Sequence, residues 1–197
     1  MMTTRMITTG SCFGALVVVM TLPPAIAAEQ KAHQHGQASL RVTVDGQSLQ
    51  LALESPLENF IGFERAPRND KERAAVQAMA RELRVAEKHF VPSIKAGCKP
   101  TGVKLESEVI EPALLAEAPG ALPAEKAAAK GAAKGGGGHA DLDASFVFRC
   151  ERPEELHDIQ VNLFDTFRRL TRIDAQVAGP KSQAGARLTA TSRKLAW

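Results

Sequence analysis

Residues 38–54 read ASLRVTVDGQSLQLALE, and this stretch decides the fold. Apolar and polar residues alternate on both sides of Asp45-Gly46, a dipeptide that is typical of two-residue β-hairpin turns. A turn at these two residues places the apolar side chains of both halves on one face of an antiparallel pair. The predicted cross-strand pairs are Val42 with Leu49, Leu40 with Leu51 and Ala38 with Leu53.

A His-x-His pattern lies immediately before this hairpin, in residues 32–36, AHQHG. His33 and His35 have the same parity as the polar residues of the first strand. If that strand extends backwards, both imidazoles point the same way and can reach one metal ion, since their Cα atoms are about 7 Å apart. Neutral imidazoles suit a tetrahedral zinc site, and Glu54, near Gln37 in this register, is a candidate third ligand. The alternative is a polar N-terminal segment without a ligand.

The first 27 residues have the features of a secretory signal peptide. Arg5 supplies the positive charge, residues 13–22 form an apolar run, and small residues lead to a predicted cleavage site after Ala27. The apolar run is too short for a stable membrane span, so we expect no stable membrane insertion. The sequence therefore predicts an exported protein whose mature chain, residues 28–197, is a single domain.

The rest of the chain predicts an α+β fold with a mostly antiparallel sheet and one long amphipathic helix. Asn69 and Glu72 form a candidate capping box for a helix of about 18 residues. From about 112 to 138 the composition reduces to Ala, Pro, Lys and Gly, which predicts a flexible insert. The predicted strand before the insert follows Cys98, and the predicted strand after the insert ends at Cys150.

Cys98 and Cys150 are the two cysteines that remain after the signal peptide. Two cysteines in an oxidising compartment usually pair, so we predict a disulfide, with free thiols and metal ligation as the alternatives. Strict alternation does not place the two cysteines directly opposite each other. The pairing therefore requires a bulge or an offset between the strands.

A second candidate metal site begins at His139, where Asp141 and Asp143 follow at alternating positions; a solvated loop end is the alternative. His89 and His157 are interpreted as structural. The chain has a net charge of +3 without a basic run that would predict nucleic-acid binding. It lacks a Gly-rich phosphate loop, Gly-x-Ser-x-Gly and His-Glu-x-x-His, so we expect a protein that is not an enzyme.

Several stretches of the chain form a recognisable series, namely residues 32–38, 53–56, 61–64, 97–98, 148–150 and 163–164, with the aromatic end at Trp197. Taken together, they resemble the ZrgA-type periplasmic zinc-uptake proteins. The resemblance implies a soluble periplasmic protein that binds zinc and passes it to a zinc transport system in the envelope. His33 and His35 match the family's N-terminal His-x-His-Gly, and His139 is similar to the end of its His-rich stretch.

Two departures from the family pattern predict weaker metal capture. The insert is rich in Ala, Lys and Gly instead of His, Asp and Glu, and its lysines repel divalent cations. Arg65 stands where relatives often carry His. We therefore expect fewer bound metal ions than in relatives, down to a single ion.

The predicted function is reversible zinc binding by a periplasmic accessory protein. Affinity should fall as the pH drops through the ordinary imidazole pKa of about 6.5. The alternatives are a copper-binding protein, because imidazole suits both metals, and an envelope interaction module that kept the fold and lost most metal binding. The predicted ligands are His33 and His35 at the core, with Glu54, Glu64, His139 and Asp141 as further contributors.

Overall fold

The computed structural model describes residues 34–116, 140–179 and 183–197. The predicted signal peptide, His33 and His139 lie outside these residues. The described chain is an α+β fold of two sheets and short helices around one hydrophobic core. The strands are β1 (Gln37–Asp45), β2 (Ser48–Pro56), β3 (Phe90–Pro92), β4 (Cys98–Glu106), β5 (Asp141–Cys150), β6 (Asp158–Val161), β7 (Arg172–Ala178), β8 (Gln183–Leu188) and β9 (Lys194–Ala196). The α-helices are α1 (Glu58–Ile61), α2 (Asp70–Leu83), α3 (Ala86–His89), α4 (Pro112–Leu115) and α5 (Leu163–Thr166).

β1 and β2 form the predicted hairpin in a register that differs by two residues from the prediction. Val42 lies opposite Leu51, not Leu49, and the two loop residues are Gly46 and Gln47. Gly46 has a φ of +54°, and this left-handed conformation favours glycine at the first loop position. Because the shift is an even number of residues, the same apolar side chains remain on the buried face.

The larger sheet has the strand order β4-β5-β2-β1-β7-β8, and the smaller one has the order β3-β6-β9. Neighbouring strands are antiparallel except for β1 and β7, which run parallel. In that pair Gln37 lies opposite Arg172, and Thr43 lies opposite Ala178. The start of β1 is therefore held between its hairpin partner and a strand from the end of the chain.

α2 begins at the residue that the sequence predicts and ends earlier. Asn69 Oδ1 accepts a hydrogen bond from Glu72 N at 2.9 Å, so Asn69 is the N-cap. The Glu72 carboxylate does not complete a reciprocal capping box, because it accepts from Arg68 N at 2.6 Å instead. The helix has 14 residues where about 18 are predicted. Its buried residues are Val76, Met79, Ala80 and Leu83.

Cys98 and Cys150 form a disulfide that links β4 and β5. The two residues lie directly opposite each other in the register of these strands. The pairing shifts between Pro100 and Gly102, and this irregularity supplies the bulge that the sequence pattern requires. The disulfide excludes the free-thiol and metal-ligation alternatives for this pair.

The first residues of the predicted insert form a helix. Residues 112–115 form α4, in which Leu115 is buried, and Ile110 before it is buried as well. The rest of the predicted insert, residues 117–138, lies outside the described residues. Within the described ranges, no helix is both long and apolar enough to cross a bilayer.

Candidate metal centre

His35, Glu58 and Glu64 lie together at one end of the larger sheet. Their ligand atoms all lie within 4.8 Å of one another. His35 Nδ1 lies 2.5 Å from Glu58 Oε2, and His35 Nε2 lies 3.4 Å from Glu64 Oε1. Within the described ranges, this is the only group of three or more such side chains close enough to hold one metal ion.

His35 is positioned by a turn and not by an extended strand. β1 begins at Gln37, and Gln37 N donates to Gln34 O at 3.0 Å to close the turn. Gly36 within it has a φ of +79°, so the strand does not extend backwards to the histidine. The uninterrupted strand on which the predicted parity of the two histidines depends is therefore not present at His35, and His33 lies outside the described residues.

The backbone of Gly36 is fixed from the end of the chain. Its carbonyl accepts from Thr171 N at 2.8 Å, Arg172 N at 2.9 Å and Thr171 Oγ1 at 2.9 Å. A Cβ at Gly36 would lie 2.8 Å from Thr171 Oγ1, closer than two such atoms approach without movement. Both the positive φ and this close contact favour glycine immediately after His35.

The Asn59 side chain links α1 to the turn that carries His35. This side chain is buried, and its Oδ1 accepts from Gly36 N at 2.7 Å. Its Nδ2 donates to Gln37 O at 2.9 Å and to Ser55 Oγ at 2.9 Å. Because Asn59 follows Glu58 in α1, these bonds fix the helix that carries Glu58 against the turn that carries His35.

Gly62 brings Glu64 back towards Glu58. It ends α1 with a φ of +83°, and its N–H donates to Glu58 O at 3.0 Å. This left-handed residue reverses the chain, so that two carboxylates six residues apart face the same imidazole. Phe60 of α1 also packs edge-on against Phe167, with ring centroids 4.8 Å apart, which holds the helix in place.

The chemistry of this group suits a divalent cation. Two carboxylates and one imidazole offer oxygen and nitrogen ligands of the kind that zinc accepts. The His35 side chain is 67% exposed, and the Glu58 and Glu64 side chains are 27% and 39% exposed. An ion can therefore reach the group from solvent without any rearrangement of the core.

Two of the other predicted ligands, Glu54 and Asp141, lie in a separate acidic cluster with Asp143 and Glu106. Glu54 and Asp141 lie on β2 and β5, where Glu54 is opposite Asp143 and Asp143 is opposite Glu106. Glu54 lies across from Ser39, not Gln37, and Arg41 Nη1 approaches its carboxylate at 3.8 Å. Neither Glu54 nor Asp141 belongs to the His35 group, while Glu64 does.

Asp143 is exposed, but partial desolvation of its carboxyl by the neighbouring strands raises its pKa, and repulsion by Glu54, Asp141 and Glu106 raises it further. The acidic cluster is therefore a place where negative charges on neighbouring strands oppose one another. This destabilises the charged form of Asp143.

Glu58 is the site residue that sequence reasoning missed. It belongs to no motif with the histidine, and it lies in a helix of four residues that periodicity does not reveal. The available signal is Gly62, because a glycine that ends a short helix reverses the chain between Glu58 and Glu64.

The Arg65 side chain interacts with the first turn of α2. Its Nη1 and Nη2 donate to the two Glu72 carboxylate oxygens at 2.7 and 2.9 Å, and its guanidinium stands 4.9 Å from the centroid of the Phe63 ring. The hydrogen bonds from Arg65, together with that from Arg68 N, lower the pKa of Glu72 to about 2. Arg65 is thus a structural residue close in sequence to Glu64 of the His35 group.

Comparison with models of known protein families gives a match over most of the chain. The family model described as ZrgA family zinc uptake protein matches residues 32–197, which include every residue of the His35 group. No curated protein matches the chain.

Proposed function

This chain belongs to the ZrgA family of zinc uptake proteins, and on that basis we propose that it binds zinc reversibly at the His35 group as an accessory protein of zinc acquisition. The single observation that carries the proposal is the convergence of His35, Glu58 and Glu64 within 4.8 Å at a solvent-accessible surface. These are an imidazole and two carboxylates, brought together from two separate parts of the chain.

The charges of the group favour a labile site. Two carboxylates and a neutral imidazole balance the charge of one Zn²⁺ ion, which then carries little net charge into the protein. The ligands are exposed, so water and competing donors have access to the ion. A site of this kind suits capture and release, because a deeply enclosed ion exchanges slowly.

His33 is an additional ligand in this proposal. The support comes from the sequence, where His33 precedes His35 by two residues and matches the His-x-His-Gly of the family. The predicted signal peptide supports a periplasmic location, in which the protein passes its ion to a zinc transport system. The role is binding without chemical conversion of a substrate.

Calorimetric titration of the purified, oxidised protein with zinc tests the proposal. We expect one site in the unsubstituted protein and its loss in the His33→Ala, His35→Ala double variant. His157→Ala is the matched control, because His157 is an exposed histidine outside the group. Equal affinity in the double variant and the control contradicts the proposal.

A titration with Cu²⁺ after zinc loading shows whether copper displaces zinc, but it does not identify the metal that the protein carries in the cell. Nitrogen and oxygen ligands without sulfur suit both divalent ions, and intrinsic affinity favours copper. The function in zinc acquisition therefore requires a second measurement, the induction of the protein by zinc depletion. Induction by copper alone would support the copper-binding alternative.

A further inference from the structure

The two ring nitrogens of His35 face two different carboxylates. Nδ1 lies 2.5 Å from Glu58 Oε2, whereas Nε2 lies 3.4 Å from Glu64 Oε1. The two nitrogens of an imidazole point away from each other, so one metal ion binds only one of them. The two carboxylates therefore differ in what they can do for a bound ion.

The separations assign the two roles. Two zinc ligands at about 2.0–2.1 Å from the ion, at a tetrahedral angle, are about 3.3 Å apart. The 3.4 Å between Nε2 and Glu64 Oε1 matches this spacing. The 2.5 Å between Nδ1 and Glu58 Oε2 is too short for an ion to lie between the two atoms, and it suits a charge-assisted hydrogen bond.

We propose that Glu58 is a positioning residue that accepts a hydrogen bond from His35 Nδ1–H and so presents Nε2 to zinc, while Glu64 is the carboxylate ligand. This inference rests on the proposed function. A carboxylate behind a metal-binding histidine fixes its tautomer and ring orientation and raises its basicity as a ligand.

The surroundings of Glu58 support this role. Its side chain is 27% exposed, less than that of Glu64 at 39%, so the carboxylate behind the ring is the more enclosed of the two. The next residue, Asn59, is buried, and its Oδ1 accepts a hydrogen bond from the N–H of Gly36, the residue after His35. This hydrogen bond holds the helix that carries Glu58 against the turn that carries His35.

The assignment leaves coordination positions open. His35 Nε2 and Glu64 provide two ligands, and a tetrahedral ion requires four. Water and a donor from the receiving protein take the remaining positions. Zinc can then pass from this protein by exchange of ligands at the open position, without prior dissociation into solvent.

The nitrogen that binds the metal can be identified directly on the unsubstituted protein. The purified protein is produced with isotope-labelled histidine and loaded with a spin-active cadmium isotope in place of zinc. Scalar coupling between cadmium and nitrogen then appears at the bonded nitrogen, and the His35→Ala variant assigns the His35 signals. We expect coupling to His35 Nε2, with Nδ1 protonated.

Matched variants give an independent readout of zinc affinity. Glu58→Ala should weaken binding by about 10–100-fold, the usual effect of losing such a carboxylate. Glu58→Gln should recover most of that loss, because an amide oxygen still accepts from Nδ1–H. Glu64→Gln should show no comparable recovery relative to Glu64→Ala, because an amide replaces a carboxylate ligand poorly.

Two results would overturn the assignment of Glu58. One is cadmium coupling to His35 Nδ1, and the other is a Glu58→Gln loss as large as that of Glu64→Gln. Both leave the proposed function intact, because zinc still binds. No binding of zinc or cadmium to the unsubstituted protein overturns the proposed function and this inference together.

Discussion

Asn59 Oδ1 accepts a 2.7 Å hydrogen bond from the backbone N–H of Gly36, the residue that follows His35. The same buried amide donates to Gln37 O and to Ser55 Oγ. Every polar atom of this side chain is therefore used to hold α1 against the turn before β1. The geometry of the proposed metal site thus depends on a residue outside the His35 group.

Asn59→Ala should both destabilise the protein and weaken zinc binding. The substitution leaves Gly36 N without its acceptor and Gln37 O without its Asn59 donor, which should cost about 2–4 kcal/mol of unfolding free energy. Urea denaturation measures this loss. At a temperature where the variant is folded, calorimetry should show weaker zinc binding because His35 is no longer fixed.

The control for this substitution is Asn162→Ala. Asn162 Nδ2 donates a 3.4 Å hydrogen bond to Lys88 O, its Oδ1 accepts one from Gln160 Nε2 at 3.0 Å, and the residue is outside the His35 group. Its loss should leave zinc affinity unchanged. If Asn59→Ala retains full affinity when folded, the positioning role assigned to Asn59 is incorrect.

Replacing both cysteines with serine should lower stability without affecting zinc affinity. The disulfide joins residues 52 positions apart, and its removal should cost about 3–4 kcal/mol through the greater entropy of the unfolded chain. The urea midpoint of the unsubstituted protein should fall to that of the Cys98→Ser, Cys150→Ser variant when reductant is added. An unchanged midpoint in reductant contradicts the prediction.

Buried His89 should make the zinc-free protein less stable below neutral pH. Its side chain is fully buried, and burial lowers its pKa despite the Glu82 carboxylate 3.3 Å from Nε2. Within the described residues, Nδ1 has no hydrogen-bond partner, so a proton there has no acceptor. The unfolded chain takes up the proton first, and stability present above about pH 6.5 is lost as the pH falls below it.

The loss attributable to His89 should not exceed about 1.4 kcal/mol per pH unit, the limit for one proton. His89→Gln, which does not titrate, should show a shallower loss between about pH 6.5 and pH 5. Urea denaturation with a chelator present measures the two profiles. The other histidines are common to both proteins, so parallel profiles would exclude a contribution from His89.

Asp143→Asn should stabilise the protein at neutral pH. The substitution removes the charge that Glu54 and Glu106 oppose on the neighbouring strands. We expect a rise in Tm of about 1–3 °C, which calorimetric melting measures. Because the pKa of Asp143 is raised in the folded state, the penalty exists above the ordinary aspartate pKa of about 3.9 and disappears below it.

The gain from Asp143→Asn should therefore shrink as the pH approaches 3.9, and it should shrink in high salt. Glu108→Gln, at an exposed position outside the acidic cluster, is the control and should leave Tm nearly unchanged. A gain that is independent of both pH and salt would show that charge repulsion is not its cause.

The sequence predicts the sheet faces better than the strand pairing. Alternation of apolar residues in β1 and β2 identifies the buried face correctly, because parity alone decides it. The exact pairing depends on the loop position of the residue with a positive φ. The Asp45-Gly46 pattern predicts Gly46 at the second loop position, whereas the structure has it at the first. Parity also predicts the bulge that lets Cys98 and Cys150 pair, which lies between Pro100 and Gly102 in β4.

The metal site was predictable only in part. His35 and Glu64 follow from the sequence pattern and the family resemblance, and the structure brings them together. The position of Glu58 depends on two left-handed glycines and on the buried Asn59, which are tertiary features without a periodic signal. The parallel pairing of β1 with β7 is likewise invisible to local patterns, because it joins distant segments.

That pairing makes the His35 group depend on two distant parts of the chain. Gly36 O accepts its hydrogen bonds from Thr171 and Arg172, and Thr171 lies 135 residues further along the chain. A chain in which this segment has not yet paired with β1 contains His35, Glu58 and Glu64 but lacks the contacts that fix the turn carrying His35. The three side chains are therefore held in place only once both segments have folded together.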